Sequence, residues 1–156
     1  KDGIANELYS FLENTQDTSL LLWEGQPRDY NVSYLFARYL YDRFGRGIIE
    51  GVHSIGGNYQ NAVERYTGLS FRSIFRDFAF ALWLDEESGS RYGFPSIDFP
   101  QPLANVITAG ESWQNQSTRG WGINYTKINN NSSDDFTIDI DGAASGGDYY
   151  LNILDR

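Results

Sequence analysis

One long, strongly periodic apolar stretch constrains this chain more than any other feature. In the segment 29–45, DYNVSYLFARYLYDRFG, large apolar side chains recur every three or four residues, which places them along one face of an α-helix. They are Val32, Leu35, Phe36, Tyr39, Leu40 and Phe44. Asp29 or Asn31 can accept hydrogen bonds from the first turn, and Gly45 can close the last turn in a left-handed conformation. The segment is therefore predicted to be the central helix.

Four shorter amphipathic segments predict further helices, at about 4–13, 46–55, 59–67 and 71–84. Asn58 and Ser70 stand where N-caps are expected, and Gly56 and Gly68 stand where helices end. The two strongest helices predict a shared core of Leu35, Phe36, Tyr39, Leu40, Phe75, Phe78 and Leu82. Charged residues opposite these apolar faces are predicted to meet solvent: Arg38, Asp42, Arg43, Arg72, Arg76 and Asp77.

A loop with a buried anchor is predicted between the first two helices. The polar run NTQDTS ends the first helix, a short apolar run at 20–23 follows, and the Gly and Pro of EGQPRD prevent regular structure up to the central helix. Trp23, the largest residue of the apolar run, is expected to be the anchor.

The sequence pattern changes after residue 85. Residues 86–102 have no helical or strand period and are rich in proline, so they are predicted to be a linker between a helical subdomain at 1–85 and a β module at 103–156. In the module, the alternating runs LANVITA, GWGINYTKI, FTIDIDG and YYLNILD predict strands of a small antiparallel or sandwich-like sheet. The fold class is therefore predicted to be α+β.

Composition excludes several classes of partner. A formal net charge of −9 argues against binding to nucleic-acid phosphates or to an anionic membrane surface, because both require clustered Lys and Arg. No apolar run approaches the length of a membrane span. The chain opens in helical register and closes in strand register, and we expect it to be a piece of a longer protein.

Metal ligands are scarce. His53 is the one histidine and cysteine is absent, so no zinc site is expected, and His53 is expected to be a packing or surface residue. Oxygen ligands for calcium are available in Asp134, Asp135, Asp139 and Asp141, with 129–131 nearby. The spacing of a calcium-binding loop is missing, however, so a solvated sheet face is the favoured interpretation.

Two further patterns bear on location and ligands. Triplets matching the N-glycosylation acceptor begin at Asn31, Asn115, Asn124, Asn130 and Asn131, which is a mild indication of an extracellular or cell-surface protein. Aromatic residues of the β module are numerous enough to line a carbohydrate platform, although filling the core of a small sheet is the commoner use. They are Trp113, Trp121, Tyr125, Tyr149 and Tyr150.

The helical half resembles a known family. The order DYNVSYLFARYLYDRFG, a short helix ending at GG, and NYQNAVERYTGLSFRSIFRDFAFALWL is similar to the C-terminal helical subdomain of gluzincin zinc metallopeptidases, and to hyicolysin-like members most of all. The resemblance covers about 30–83, mostly at apolar positions. It implies that Tyr30, just ahead of the central helix, donates its hydroxyl to the oxyanion of the tetrahedral intermediate. The alternative is a tyrosine that packs over the start of the helix.

The family's metal-binding half is missing from this chain. Those enzymes hold zinc with H-E-x-x-H, which does not occur here, so the resemblance implies that the zinc and its ligands belong to an upstream half of the same protein. The chain alone is then expected to hold no cofactor and to be catalytically inert. Its partners would be that upstream half and a peptide substrate.

Two hypotheses stay open at this point. The first is the C-terminal part of a secreted zinc metallopeptidase. The second is a noncatalytic extracellular module that binds a protein or a glycan at a cell surface. An H-E-x-x-H within roughly 150 residues upstream in the parent gene would favour the first hypothesis, and its absence would favour the second.

Overall fold

The computed structural model describes residues 5–86, 90–108, 117–130 and 153. Among these residues there are five α-helices: α1 (Ala5–Leu12), α2 (Pro27–Phe44), α3 (Gly47–Ile55), α4 (Tyr59–Thr67) and α5 (Phe71–Leu84). A 3-10 turn lies at Thr15–Asp17, and two strands follow, β1 (Asn105–Thr108) and β2 (Thr126–Asn129). The prediction of about five helices followed by strands is confirmed for the described part of the chain, and the class is α+β.

The helix ends follow local sequence signals. The Asn58 side chain accepts from the backbone N–H groups of Gln60 and Asn61 at the start of α4, and Ser70 Oγ accepts from Ser73 N–H at the start of α5. Gly45 has a φ of 79° and its N–H donates to the Tyr41 carbonyl, which closes α2. These residues were expected at the helix ends because each satisfies backbone groups that the helix itself leaves unpaired.

The core is aromatic and is centred on α2. The Phe36 ring lies 5.5 Å from the Phe71 ring and 5.1 Å from the Phe78 ring, in tilted and edge-on geometries that aromatic pairs favour. The predicted core residues are buried, apart from Phe75, which is partly covered. On α3, Ile48 and Val52 are buried against this core, whereas Ile49 is exposed.

Two residues predicted to face solvent form a buried ion pair instead. The Asp77 side chain is 1 % exposed, and its Oδ2 lies 3.0 Å from Nη1 of Arg43. Arg76 lies against the other oxygen, with Nη2 3.0 Å from Oδ1. The helical period places Asp77 on the side of α5 opposite its apolar face, which is why the sequence predicts exposure. In the fold, α2 packs close to that side and brings the Arg43 guanidinium to Asp77, so the carboxylate can be buried there.

The segment predicted as a linker packs against the helices. Phe94, Ile97 and Phe99 are buried in the same core, with the Phe94 ring 5.9 Å from the Tyr39 ring. Ser96 Oγ donates to Oδ2 of Asp42 at 2.6 Å, so Asp42, which was also predicted to meet solvent, is largely covered. The segment has the irregular backbone that its sequence predicts, but its apolar side chains hold it on the helical unit.

The sheet is parallel, and the prediction of an antiparallel sheet is wrong. β1 and β2 pair in the register Asn105↔Thr126 to Thr108↔Asn129. Alternating apolar and polar residues identify a strand but carry no information on its direction. The stretch 109–125 between the two strands exceeds the length of about a dozen residues that a parallel crossover requires. The predicted strands at 136–142 and 149–155 lie outside the described residues, except for residue 153.

No helix in the described part of the chain is both long enough and apolar enough to cross a membrane, as the sequence predicted.

Candidate functional site at the start of the central helix

The central helix starts two residues earlier than predicted. Pro27 is its first residue, a position at which proline's missing N–H group costs no hydrogen bond. Asp29 is therefore inside the first turn and does not precede the helix. Asn31, the other predicted cap, lies further inside α2, and its Nδ2 donates to Ser10 Oγ of α1 at 2.7 Å.

The buried Asp29 carboxylate fixes the loop that leads into α2. Its Oδ2 accepts from the N–H of Glu24 at 2.8 Å and from the N–H of Gln26 at 2.9 Å. At the other end of the loop, Ser19 Oγ accepts from the N–H groups of Leu21 and Leu22 at 3.2 and 3.1 Å. Because both ends are held by buried side chains, the loop has a defined shape despite its lack of regular structure.

Trp23 is not the buried anchor that was predicted. Its side chain is 54 % exposed, and the neighbouring Leu21 and Leu22 are exposed as well. Leu20 is the residue that packs against the core, and its N–H donates to the carbonyl of Trp121 at 3.1 Å. The loop is attached at Leu20 and turns outward after it, so the apolar residues that follow face solvent.

Tyr30 lies in the first turn of α2 and not just ahead of it. Its side chain is 61 % exposed, and its ring meets the Trp23 ring edge-on with the centroids 4.5 Å apart. Within the described residues its hydroxyl has no hydrogen-bond partner. The Trp23–Tyr30 pair therefore presents two rings and one phenol hydroxyl at the surface, on a helix turn and a loop that are both fixed.

The charges beside this pair are neutralised by one another. The Glu24 carboxylate pairs with Arg119 and lies 3.3 Å from Nη2 of Arg28. The hydrogen bond from Arg119 is the main reason that the pKa of Glu24 is lowered from its ordinary value of 4.5, and the same bond raises the pKa of Arg119. Glu24 is therefore ionised at neutral pH, and Arg119 ties the entry loop to the segment before β2.

The site can supply a neutral hydrogen-bond donor and a flat apolar surface. A phenol hydroxyl held by a packed helix turn can stabilise an anionic oxygen without transferring its proton. The described residues offer no group of three His, Cys, Asp or Glu side chains that could hold a metal ion. The described residues therefore supply no ligand set for the zinc that the family resemblance implies.

His53 lies away from this site. It is exposed on α3, at the side of an open apolar groove of about 400 Å³ formed by α2, α3 and α4. Leu40, Val52 and Ala62 form part of its lining. This agrees with the expectation of a surface or packing histidine.

The aromatic residues of the β module that the structure describes serve packing. Trp121 lies 5.1 Å from the Phe71 ring and 5.3 Å from the Phe75 ring, and Tyr125 stacks on Trp83 at 5.0 Å. Tyr125 also donates its hydroxyl to the Ala79 carbonyl at 2.7 Å, and burial raises its pKa. Both rings are partly buried and pack against the helical unit. Trp113, Tyr149 and Tyr150 lie outside the described residues.

The structure describes only part of the predicted glycosylation triplets and none of the predicted calcium ligands. The acceptor triplet at Asn31 lies inside α2, and Asn124 accepts from Asn105 Nδ2 at 3.2 Å. Asn115 and Asn131 fall outside the described residues. The calcium candidates Asp134, Asp135, Asp139 and Asp141 lie outside the described residues too.

Sequence reasoning missed the contact between the Trp23 and Tyr30 rings, and it missed that the buried Asp29 carboxylate holds the loop before α2. The available signal was weak: an acidic residue three positions after Gln26 resembles a capping box, but Gln26 is not the Ser or Thr that normally starts one. Nothing in the sequence indicates that Leu20 would pack inward and Trp23 outward.

No family model matches the chain, and a search of the curated proteins found no match.

Proposed function

We propose that this chain is the C-terminal helical part of a secreted zinc metallopeptidase, in which the Tyr30 hydroxyl donates a hydrogen bond to the oxyanion that forms during peptide hydrolysis. The observation that carries the proposal is the geometry of Tyr30. Its side chain is 61 % exposed, its hydroxyl has no partner within the described residues, and its ring contacts the Trp23 ring edge-on.

Rigidity is what makes this arrangement suited to catalysis. A donor accelerates a reaction most when it is already in place and need not be reorganised as charge develops. Asp29 fixes the loop before α2, and the apolar face of α2 fixes the helix itself. Both supports are buried, so the position of Tyr30 is set by the folded helical unit.

The catalytic half would be an upstream part of the same protein. The zinc ligands and the group that activates water would come from that half, because the described residues contain no suitable cluster. A peptide substrate would lie between it and the face that carries Tyr30. The chain by itself would then be inert, whatever the activity of the whole protein.

The test is Tyr30→Phe in the full-length protein. This change keeps the ring and its contact with Trp23 and deletes one hydrogen bond to the transition state. We expect kcat to fall by about 10²–10³ with KM nearly unchanged. Tyr41→Phe is the matched control, because it deletes an exposed hydroxyl on the same helix, roughly 16 Å further along its axis. A Tyr30→Phe enzyme with normal kcat would leave Tyr30 as a packing residue only.

A second function is favoured by the same surface. Exposed apolar side chains at Leu21, Leu22 and Trp23 also suit a noncatalytic module that binds a protein or glycan. The two proposals differ in one feature of the parent gene, an upstream H-E-x-x-H. If the full-length protein lacks that motif and does not hydrolyse peptides, the binding module is the better proposal.

A further inference from the structure

An exposed tyrosine in the first turn of a helix can change rotamer unless a neighbour restricts it. The Tyr30 side chain is 61 % exposed, and on a helix its χ1 angle has two favoured values, which carry the hydroxyl at the end of the ring to different places. A preorganised donor is effective only where its hydrogen bond meets the developing charge, so only one of these rotamers can be productive. A contact that favours one rotamer therefore bears directly on the proposed role of the hydroxyl.

Trp23 supplies such a contact. Its ring meets the Tyr30 ring edge-on, with the centroids 4.5 Å apart and the ring planes at 74°. Aromatic pairs favour this arrangement because the positive edge of one ring faces the negative face of the other. In the part of the chain that the structure describes, no second ring contacts Tyr30. Trp23 is therefore the ring that can bias the rotamer of Tyr30.

The loop that carries Trp23 is tied to the helix turn that carries Tyr30. Oδ2 of the buried Asp29 accepts from the N–H of Glu24, the residue after Trp23, at 2.8 Å. Asp29 directly precedes Tyr30 in the first turn of α2. On the other side of Trp23, Ser19 Oγ accepts from the N–H groups of the two preceding leucines at 3.2 and 3.1 Å. The two rings therefore meet on a loop and a helix turn whose relative position is fixed.

We infer that Trp23 is a positioning residue for Tyr30, whose ring holds the phenol in the rotamer that presents its hydroxyl to the oxyanion. The inference rests on the proposed function and adds a second residue to it. Trp23 takes no part in proton transfer or in binding the oxyanion, and its role requires no contact with the substrate. Its whole effect on the reaction passes through the Tyr30 hydroxyl.

The experiment is a double-mutant cycle in the full-length protein, with peptide hydrolysis as the measurement. Trp23→Ala should lower kcat about 3- to 10-fold with KM nearly unchanged, the range for losing one aromatic pair. Trp23→Leu, which keeps an apolar side chain without a ring, should behave like Trp23→Ala, and Trp23→Phe should restore most of kcat. In a Tyr30→Phe background, Trp23→Ala should change kcat less than about 2-fold, because the hydroxyl that it positions is already absent. Ile49→Ala, at an exposed apolar residue of α3, should leave kcat unchanged.

A second measurement needs no activity. Three-bond NMR couplings to the Cβ protons of Tyr30 report its χ1 angle. We expect one rotamer in the parent chain and in Trp23→Phe, and an average of two rotamers in Trp23→Ala.

The outcomes separate this inference from the proposed function. An impaired Tyr30→Phe enzyme together with a normal Trp23→Ala enzyme would overturn the positioning role alone, as would Tyr30 couplings that Trp23→Ala leaves unchanged. Equal losses of kcat from Trp23→Ala with and without the Tyr30 hydroxyl would also overturn it, because Trp23 would then act by another route. A Tyr30→Phe enzyme with normal kcat, or a full-length protein that hydrolyses no peptide, would overturn the oxyanion role and the positioning role with it.

Discussion

Arg43 of α2 and Asp77 of α5 form an ion pair inside the helical unit, with Nη1 3.0 Å from Oδ2. The contact is within ion-pair range, although Oδ2 makes no directional hydrogen bond. Arg43 Nη1 also donates to the Tyr39 hydroxyl at 2.8 Å, and that hydroxyl donates to the carbonyl of Arg91 at 3.0 Å. Burial raises the pKa of Tyr39, so its hydroxyl stays protonated and remains a hydrogen-bond donor at neutral pH. The network joins α2, α5 and the segment that follows α5.

Arg43→Ala should be strongly destabilising, although Arg43 is on the face that the sequence assigns to solvent. Removing the guanidinium leaves Asp77 buried with Arg76 as its remaining partner, and we expect a loss of about 3 kcal/mol, the lower part of the range for breaking a buried pair. Urea unfolding of the chain measures it. Arg46→Ala is the control, because Arg46 and its partner Glu50 are both exposed, so the loss of free energy of unfolding should stay below about 0.5 kcal/mol. Equal effects of the two changes would show that the pair contributes nothing.

Phe36→Ala tests the position of the core. The ring is 1 % exposed and contacts Phe71 and Phe78, so its removal should leave a cavity and cost about 3–5 kcal/mol. Leu103→Ala removes a similar volume from an exposed position and should cost less than about 0.5 kcal/mol. Chemical denaturation of both variants gives the comparison. A Phe36→Ala chain as stable as its parent would show that α2 does not pack as described.

Gly93→Ala tests whether the segment after α5 is fixed on the helical unit. A Cβ at residue 93 would collide with the backbone carbonyl of Glu86. The Glu86 backbone has little room to move away, because its N–H donates to the Tyr92 carbonyl at 3.1 Å. We expect a loss of about 1–3 kcal/mol, as for other overpacked sites. Gly120→Ala is matched, since a Cβ there meets nothing within 4 Å. If thermal unfolding shows no difference between the two variants, residues 90–102 are a tether and not part of the core.

The Glu24 contacts should depend on pH in a defined direction. Since Arg119 lowers the pKa of Glu24 in the folded chain, the contacts stabilise above its ordinary value of 4.5 and are lost as pH falls through the lowered value. Arg119→Gln should raise the pKa of Glu24 towards 4.5, and Arg28→Gln should raise it less, because the hydrogen bond from Arg119 is the largest cause of the shift. Carboxyl carbon shifts followed by NMR measure both. A larger effect of Arg28→Gln would contradict the arrangement.

The helices were predictable because their signals are local. A helix is specified by side chains three and four residues apart and by caps within one turn, so the apolar face of α2, the cap at Asn58 and the ends at Gly45 and Gly68 could all be assigned from short windows of sequence. The α+β class followed from the change in period after α5. The oxyanion role of Tyr30 comes only from a resemblance to a family motif, and it stays a prediction.

Contacts between distant residues decided the rest. Burial of Asp77 depends on Arg43, which is 34 positions earlier in the chain, and the outward turn of Trp23 depends on the bond from Leu20 to Trp121. The direction of β2 is set by its pairing with β1, and no pattern within either strand encodes it. A short window of sequence specifies whether a segment forms a helix or a strand, and which of its side chains share one face. Which other segment packs on that face is decided by the fold, because burial and ion pairing need two surfaces in contact.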